Sequence, residues 1–166
     1  MGMGLGMGVA GDEGRKISAV RRLQFCCGHR VYKHESKCAH LHGHNYVVFL
    51  HASVSAETKQ ERGGGAGLDS RGRVIDFGVL KEKFASWIDE NWDHGFILWE
   101  QDQEAKSALA GMEQQKLFLL PENPTAENMA RHLLDVVAPA VLSGTGVDVS
   151  KVVLWETENC FVEVSK

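Results

Sequence analysis

The sequence carries no excess of positive charge. Its 18 lysines and arginines face 22 aspartates and glutamates, so the net charge is −4 with neutral histidines. That balance leaves no basic footprint for a nucleic acid. An anionic ligand would need local cations or a metal rather than the overall field. No apolar run is long enough to span a bilayer. The first stretch, MGMGLGMGVAGDEG, lacks the basic n-region and unbroken apolar h-region of a signal peptide. Gly6 stands where an N-myristoylation pattern requires Ser or Thr. Gly6, Gly8 and Gly11 spell G-x-G-x-x-G, but no strand precedes them and no helical pattern follows, which excludes the dinucleotide fingerprint. There is no H-E-x-x-H and no C-x-x-C. Residues 1 to 14 are therefore expected to form a disordered, glycine-rich tail, with residues 15 to 166 as one domain. Cys26, Cys27, Cys38 and Cys160 are expected as reduced thiols in the cytoplasm.

What is present is an ordinary globular balance, 43% hydrophobic and 24% charged. KISAVRRLQFCC, residues 16 to 27, mixes β-branched and aromatic residues and predicts a strand. NYVVFLHASV, residues 45 to 54, predicts a second, with Tyr46, Val48, Leu50 and Ala52 on one face. ERGGGAGLDSRGR is a turn-rich break before the short apolar run Val74-Ile75, which together suggest strands joined by a glycine-rich loop. Asp76 is placed to cap a helix whose face is Leu80, Phe84, Trp87 and Ile88, ending near Asn91. Residues 99 to 116 read as a loop with a little helix. NPTAEN opens a second helix, capped by Thr125, with Met129, Leu133, Val136 and Val137 on its apolar face. Pro139 should end or kink it. Two short strands, VVLWETE and CFVEV, close the chain. The expected class is α+β: a four-stranded, mainly antiparallel sheet with two helices on one face.

KCAHLHGHNY, residues 37 to 46, concentrates the chemistry. His42 and His44 flank Gly43, so both imidazoles project from one face of an extended chain. Two histidines do not make a metal site. His29, in FCCGHR, is the candidate third ligand if the two strands pair, and Gly28 before it permits a tight bend. Three histidines alone give an open, catalytic zinc site; Cys38 as a fourth ligand gives a closed, structural one. From spacing alone Asp93 and His94 read as residues that cap or follow the first helix, and Glu156 as a solvent-facing strand residue. His40 reads as a solvent-facing or second-layer residue. Cys26 and Cys27 read as a core thiol and its neighbour.

FCCGHR, CAHLHGHNY, VIDFGVLK, WDHGFIL, NPTAEN and ETENC occur in this order over residues 25 to 160. Together they resemble the 6-pyruvoyl-tetrahydropterin synthase / 6-carboxytetrahydropterin synthase family. The resemblance implies a tunnelling fold, in which subunits close into a barrel, usually as a homohexamer of two stacked trimers with active sites between subunits. It implies zinc on His29, His42 and His44, with Cys38 as a catalytic thiol beside the metal. It implies that Asp93 and His94 complete the proton-transfer machinery. It implies that Glu156 anchors the pterin ring and that Thr125 and Glu127 support the pocket.

The physical chemistry is consistent with those roles. Zinc bound to hydroxyl oxygens would acidify them and polarise the adjacent carbons, a thiolate could remove a proton, and a carboxylate can accept two N–H bonds from a pterin edge. Three residues separate Cys38 from His42, the short spacing found in members that resemble the bacterial 6-carboxytetrahydropterin synthases of queuosine biosynthesis. The expected reaction therefore converts 7,8-dihydroneopterin triphosphate to 6-carboxy-5,6,7,8-tetrahydropterin with loss of acetaldehyde and triphosphate. The alternatives are a 6-pyruvoyl product from the same substrate, or a zinc-containing pterin-binding protein without turnover.

Overall fold

The computed structural model describes residues 15–166; the expected tail, residues 1 to 14, lies outside the described residues. Six strands form one sheet: β1 (Ala19–His29), β2 (His42–Val54), β3 (Gly95–Trp99), β4 (Leu117–Leu120), β5 (Val147–Thr157) and β6 (Cys160–Ser165). Their spatial order is β4-β3-β1-β2-β5-β6. The α+β class stands, but the sheet is six-stranded and mixed rather than four-stranded and antiparallel. β1, β2, β5 and β6 pair antiparallel, whereas β3 lies parallel to β1 and β4 parallel to β3. Parallel neighbours require a crossover. Helix α2 (Phe77–Asn91) precedes β3, and α3 (Gln103–Leu109) carries the chain from β3 to β4. GFILW and LFLL are too short for periodicity to separate them from loop or helix.

The long strands follow their alternation. Tyr46, Val48, Leu50 and Ala52 are fully buried, as are the helix residues Leu80 and Phe84 that join the same core. Asp76 caps α2 by accepting from the Gly78 N–H at 2.8 Å. Val74 is buried, but it lies outside any strand, and a short helix α1 (Ala56–Glu61) follows β2 where a glycine-rich loop to a further strand was expected. Thr125 caps α4 (Ala126–His132), accepting from the Asn128 N–H at 3.3 Å. Pro139 does not end this helix. A π-helical turn (Leu133–Val137) leads into α5 (Ala138–Val141), which holds the proline in its first turn, where a missing N–H is harmless. The extra residue in that turn shifts the face. Val136, expected on the apolar side, is exposed, while Leu134 is buried.

Gly28 makes no bend. It sits inside β1, opposite Gly43 of β2. A side chain there would overlap the ring of Phe96 from β3, and one at Gly43 would come within 3.0 Å of the Cys27 carbonyl oxygen. Both glycines exist to let neighbouring backbone and ring approach closely.

Candidate active site

The β1–β2 register aligns His29 with His42 and Cys27 with His44. His29, His42 and His44 thereby project from one face at the end of the pairing, with ring centroids 4.5, 4.9 and 5.3 Å apart. One nitrogen of each lies within 4.8 Å of the others, so the three can hold a metal ion.

Two backbone carbonyls set the rings. His29 Nδ1 bonds to the Pro124 oxygen and His42 Nδ1 to the His40 oxygen, each at 2.7 Å. A carbonyl only accepts, so each Nδ1 carries the proton. In the neutral ring Nε2 is then a free lone pair, the arrangement that orients histidine toward a metal. His40, read as a solvent-facing or second-layer residue, acts through its backbone; its ring is exposed. Burial pushes the buried His29 below the ordinary imidazole range, against the opposing Pro124 hydrogen bond. Burial lowers His44 as well, opposed by Glu156. Neutral rings are the ligand form.

Glu156 reaches this cluster from β5. Its Oε1 is 3.5 Å from His29 Nε2 and 3.8 Å from His44 Nε2. With neutral rings this is no ion pair, and at His29 the carboxylate faces the Nε2 lone pair. The Tyr46 hydroxyl lies 3.3 Å from His29 Nε2 and donates to Glu156 Oε1 at 3.5 Å. Burial raises the Tyr46 phenol well above its usual range, so it stays a donor. The free Nε2 lone pairs of His29 and His42, the His44 ring and the Glu156 carboxylate make a ligand set that fits a cation. The resemblance gave Glu156 a role at the pterin ring rather than beside the histidines, and Tyr46 read only as a strand residue. Tyr46 shares the parity of His42 and His44, a signal that was available. Glu156 carried no local signal, because its approach depends on the β2–β5 pairing.

Cys38 sits half-buried in a 3₁₀ turn (Lys37–Ala39) of the loop between β1 and β2. It shares a cavity of ≈ 380 Å³ with His29, Thr125, Glu127, Glu156 and Phe161. Among the described residues Cys38 is not part of the metal-holding cluster. Glu156 also lines a wider cavity of ≈ 780 Å³ with Trp155 and Thr157. NPTAEN works as a clasp. Asn123 accepts from the Tyr32 N–H at 2.7 Å and donates back to the Tyr32 carbonyl at 3.1 Å, Pro124 holds His29, and Thr125 caps α4.

Asp93 and His94 lie elsewhere. Their side chains do bond, with His94 Nδ1 donating to Asp93 Oδ2 at 2.8 Å. Within one chain they face Cys26, not Cys38: His94 Nε2 is 3.6 Å from Cys26 Sγ.

Residues 18–166 match the family described as 6-pyruvoyl tetrahydropterin synthase. The 6-carboxy-5,6,7,8-tetrahydropterin synthase of Rickettsia felis is 41% identical over 148 residues, covering 89% of this chain and 99% of the relative. That of Haemophilus influenzae is 32% identical over 151 residues, covering 89% and 96%. Among solved structures, the uncharacterized protein WS1659 from Wolinella succinogenes superposes with a TM-score of 0.69 at 26% identity, covering 92% of this chain and 99% of that one. The 6-pyruvoyl tetrahydropterin synthase of Caenorhabditis elegans, at 20% identity and a TM-score of 0.58 over 92% of this chain and 96% of that one, shares the fold.

Proposed function

The chain belongs to the 6-pyruvoyl tetrahydropterin synthase family, and from that premise we propose that it is a zinc-dependent lyase acting on 7,8-dihydroneopterin triphosphate in the cytoplasm. The product is 6-carboxy-5,6,7,8-tetrahydropterin, with acetaldehyde and triphosphate released. One observation carries the reading: three imidazoles with free Nε2 or converging nitrogens stand beside a cavity that also holds a thiol and a carboxylate. The names of the curated relatives favour the 6-carboxy product, as does the three-residue spacing from Cys38 to His42.

His29, His42 and His44 would hold the zinc, which when bound supplies Lewis acidity to substrate hydroxyl oxygens. Cys38, in the same cavity as His29, takes a proton from the substrate side chain. Glu156 accepts two N–H bonds from the amino and ring edge of the pterin. Thr125 and Glu127 line the wall of that cavity and hold the ring against it. Asp93 orients His94 through its hydrogen bond, and His94 moves protons at Nε2. The distance of this pair from the Cys38 cavity supports an assembly in which a neighbouring copy supplies it. A homohexamer of stacked trimers does so by pairing the outer strands β4 and β6 into a closed barrel.

The test is product identification. Zinc-loaded protein is incubated anaerobically with 7,8-dihydroneopterin triphosphate and the mixture read by mass spectrometry. A 6-carboxypterin with acetaldehyde is expected. A 6-pyruvoyl product would retain the site and reassign the reaction. Bound but unchanged substrate would leave a pterin-binding protein.

A further inference from the structure

Helix α2 ends at Asn91 with no basic residue in its last turn and with its last carbonyls only partly spent. The N–H groups of Trp92 and Asp93 both donate to the Ile88 oxygen at 2.8 Å, so the Asp89 carbonyl lacks the Asp93 N–H that a further helical turn would give it. Lys116, the residue just before β4, supplies the donor. Its Nζ donates to the Asp89 oxygen and, at 2.7 Å, to the Asp93 oxygen. The cation thereby meets the negative pole of the helix dipole. Lys116 is itself held beside β3, because its carbonyl accepts from the Phe96 N–H at 3.0 Å. Its stem crosses Gly95, where a side chain would come within 3.0–3.2 Å of the Lys116 Cβ, Cγ and Cδ.

The Asp93 oxygen and the His94 N–H belong to one peptide group. Lys116 holds its oxygen from the β4 side, and the Cys26 carbonyl of β1 accepts its N–H at 2.7 Å. The peptide is therefore pinned at both poles, between the two strands that flank β3. His94, which follows it, has φ 57°, in the left-handed region that a non-glycine residue occupies only when its surroundings enforce it. Rotation of this one peptide is the ready way out of that conformation, and the two bonds just named oppose it. Once the peptide is free, the backbone that carries the His94 ring no longer has a single conformation. The 2.8 Å bond from His94 Nδ1 to Asp93 Oδ2 then loses its fixed base.

We propose that Lys116 is a positioning residue of the proton-transfer pair: it clamps the Asp93–His94 peptide from the start of β4 and so fixes the ring that Asp93 orients. This role rests on the proposed part of Asp93 and His94 in the lyase reaction. It also gives the segment between β3 and β4 a task. Helix α3 returns the chain so that a cation arrives at the end of α2, which has none of its own. Lys116 lines none of the cavities around His29, His44 or Cys38. It acts through a backbone oxygen alone. The residues that hold metal and pterin stand apart from it, so its loss should slow the chemical step and leave substrate binding intact.

The experiment compares the full, zinc-loaded chain with Lys116→Met, which keeps a stem over Gly95 and removes the ammonium, and with Lys116→Arg, which restores a donor. On 7,8-dihydroneopterin triphosphate, Lys116→Met should lower kcat by about tenfold with KM within about twofold, and Lys116→Arg should recover most of the loss. Lys106→Met removes a lysine–carbonyl bond of the same kind, made to Glu100 at 2.8 Å, and should leave kcat unchanged. In parallel, hydrogen exchange of the His94 amide, read by NMR, should quicken by about tenfold in Lys116→Met. Parent kcat in Lys116→Met overturns the proposal. So does a loss of kcat that Lys106→Met reproduces, or one that comes with an equal rise in KM. If the unaltered chain turns nothing over, the lyase reading fails and the amide decides. Unchanged exchange at His94 then overturns the clamp, and faster exchange sustains it.

Discussion

His29 Nδ1 donates to the carbonyl oxygen of Pro124, 95 residues further along the chain, at 2.7 Å. The bond joins the last residue of β1 to the segment that opens α4. A candidate metal ligand is thus aimed by a loop that has no ligand of its own.

Replacing the two partners in the β1–β2 register should therefore give different results. His42→Ala removes a half-exposed ring and should abolish stoichiometric zinc binding with little effect on the metal-free fold. His29→Ala should also abolish it, but in addition strands the Pro124 carbonyl in a buried place, at a cost of about 1–3 kcal/mol. For a chain of this size that lowers Tm by about 2–4 °C per kcal/mol. Zinc content by mass spectrometry and calorimetry of the metal-free variants check both. Equal melting temperatures for the two variants would remove the clasp from the account.

Cys38→Ala should keep one zinc per chain and lose turnover by about a hundredfold or more. Cys38 lies outside the metal-holding cluster of the described residues but inside the cavity that His29 and Glu156 line. Zinc lost together with activity would instead make Cys38 a fourth ligand.

Gly28→Ala should destabilise the fold by about 1–3 kcal/mol, the usual result of overpacking. The new methyl group overlaps the Phe96 ring and must push β3 away from β1. Chemical denaturation reads the loss. A variant as stable as the parent would show that Phe96 turns aside freely.

These cases mark where the sequence was legible. The alternation of His42, His44 and Tyr46 is a property of one strand, so the metal face could be read from a few residues. The caps Asp76 and Thr125 were readable for the same reason, since each acts on an N–H two or three residues away. The pairing of β3 and β4 was not, because parallel neighbours are chosen by crossovers rather than by local pattern. Glu156 was named through the resemblance alone, and its approach to His29 was beyond reach on the same ground, since the two stand on different strands.

His132 should make stability fall in mild acid. It packs among Trp87, Trp92 and Phe118, with centroids 5.9, 6.0 and 5.4 Å away, and burial lowers its pKa below 6.5. The unfolded chain then takes up a proton there that the folded chain refuses. Stability contributed by the neutral ring is full above the unfolded value and declines as pH falls below it toward the folded one. His132→Phe should flatten the change in urea midpoint between about pH 7.5 and about pH 5.5. His29 and His44 shift the same way, so the difference between the two proteins, not the slope of either, is the quantity to read. An identical loss in both would place the acid sensitivity outside His132.

His29 ends β1 and His42 begins β2, so the loop carrying Cys38 leaves and re-enters the sheet at the cluster itself. An ion on these imidazoles would rivet the two strand ends together beneath that loop. The segment above the rivet can then gain or lose a residue without a slip in the ladder below it. With the strand ends so held, the length of the loop alone sets where the Cys38 thiol stands relative to the imidazoles.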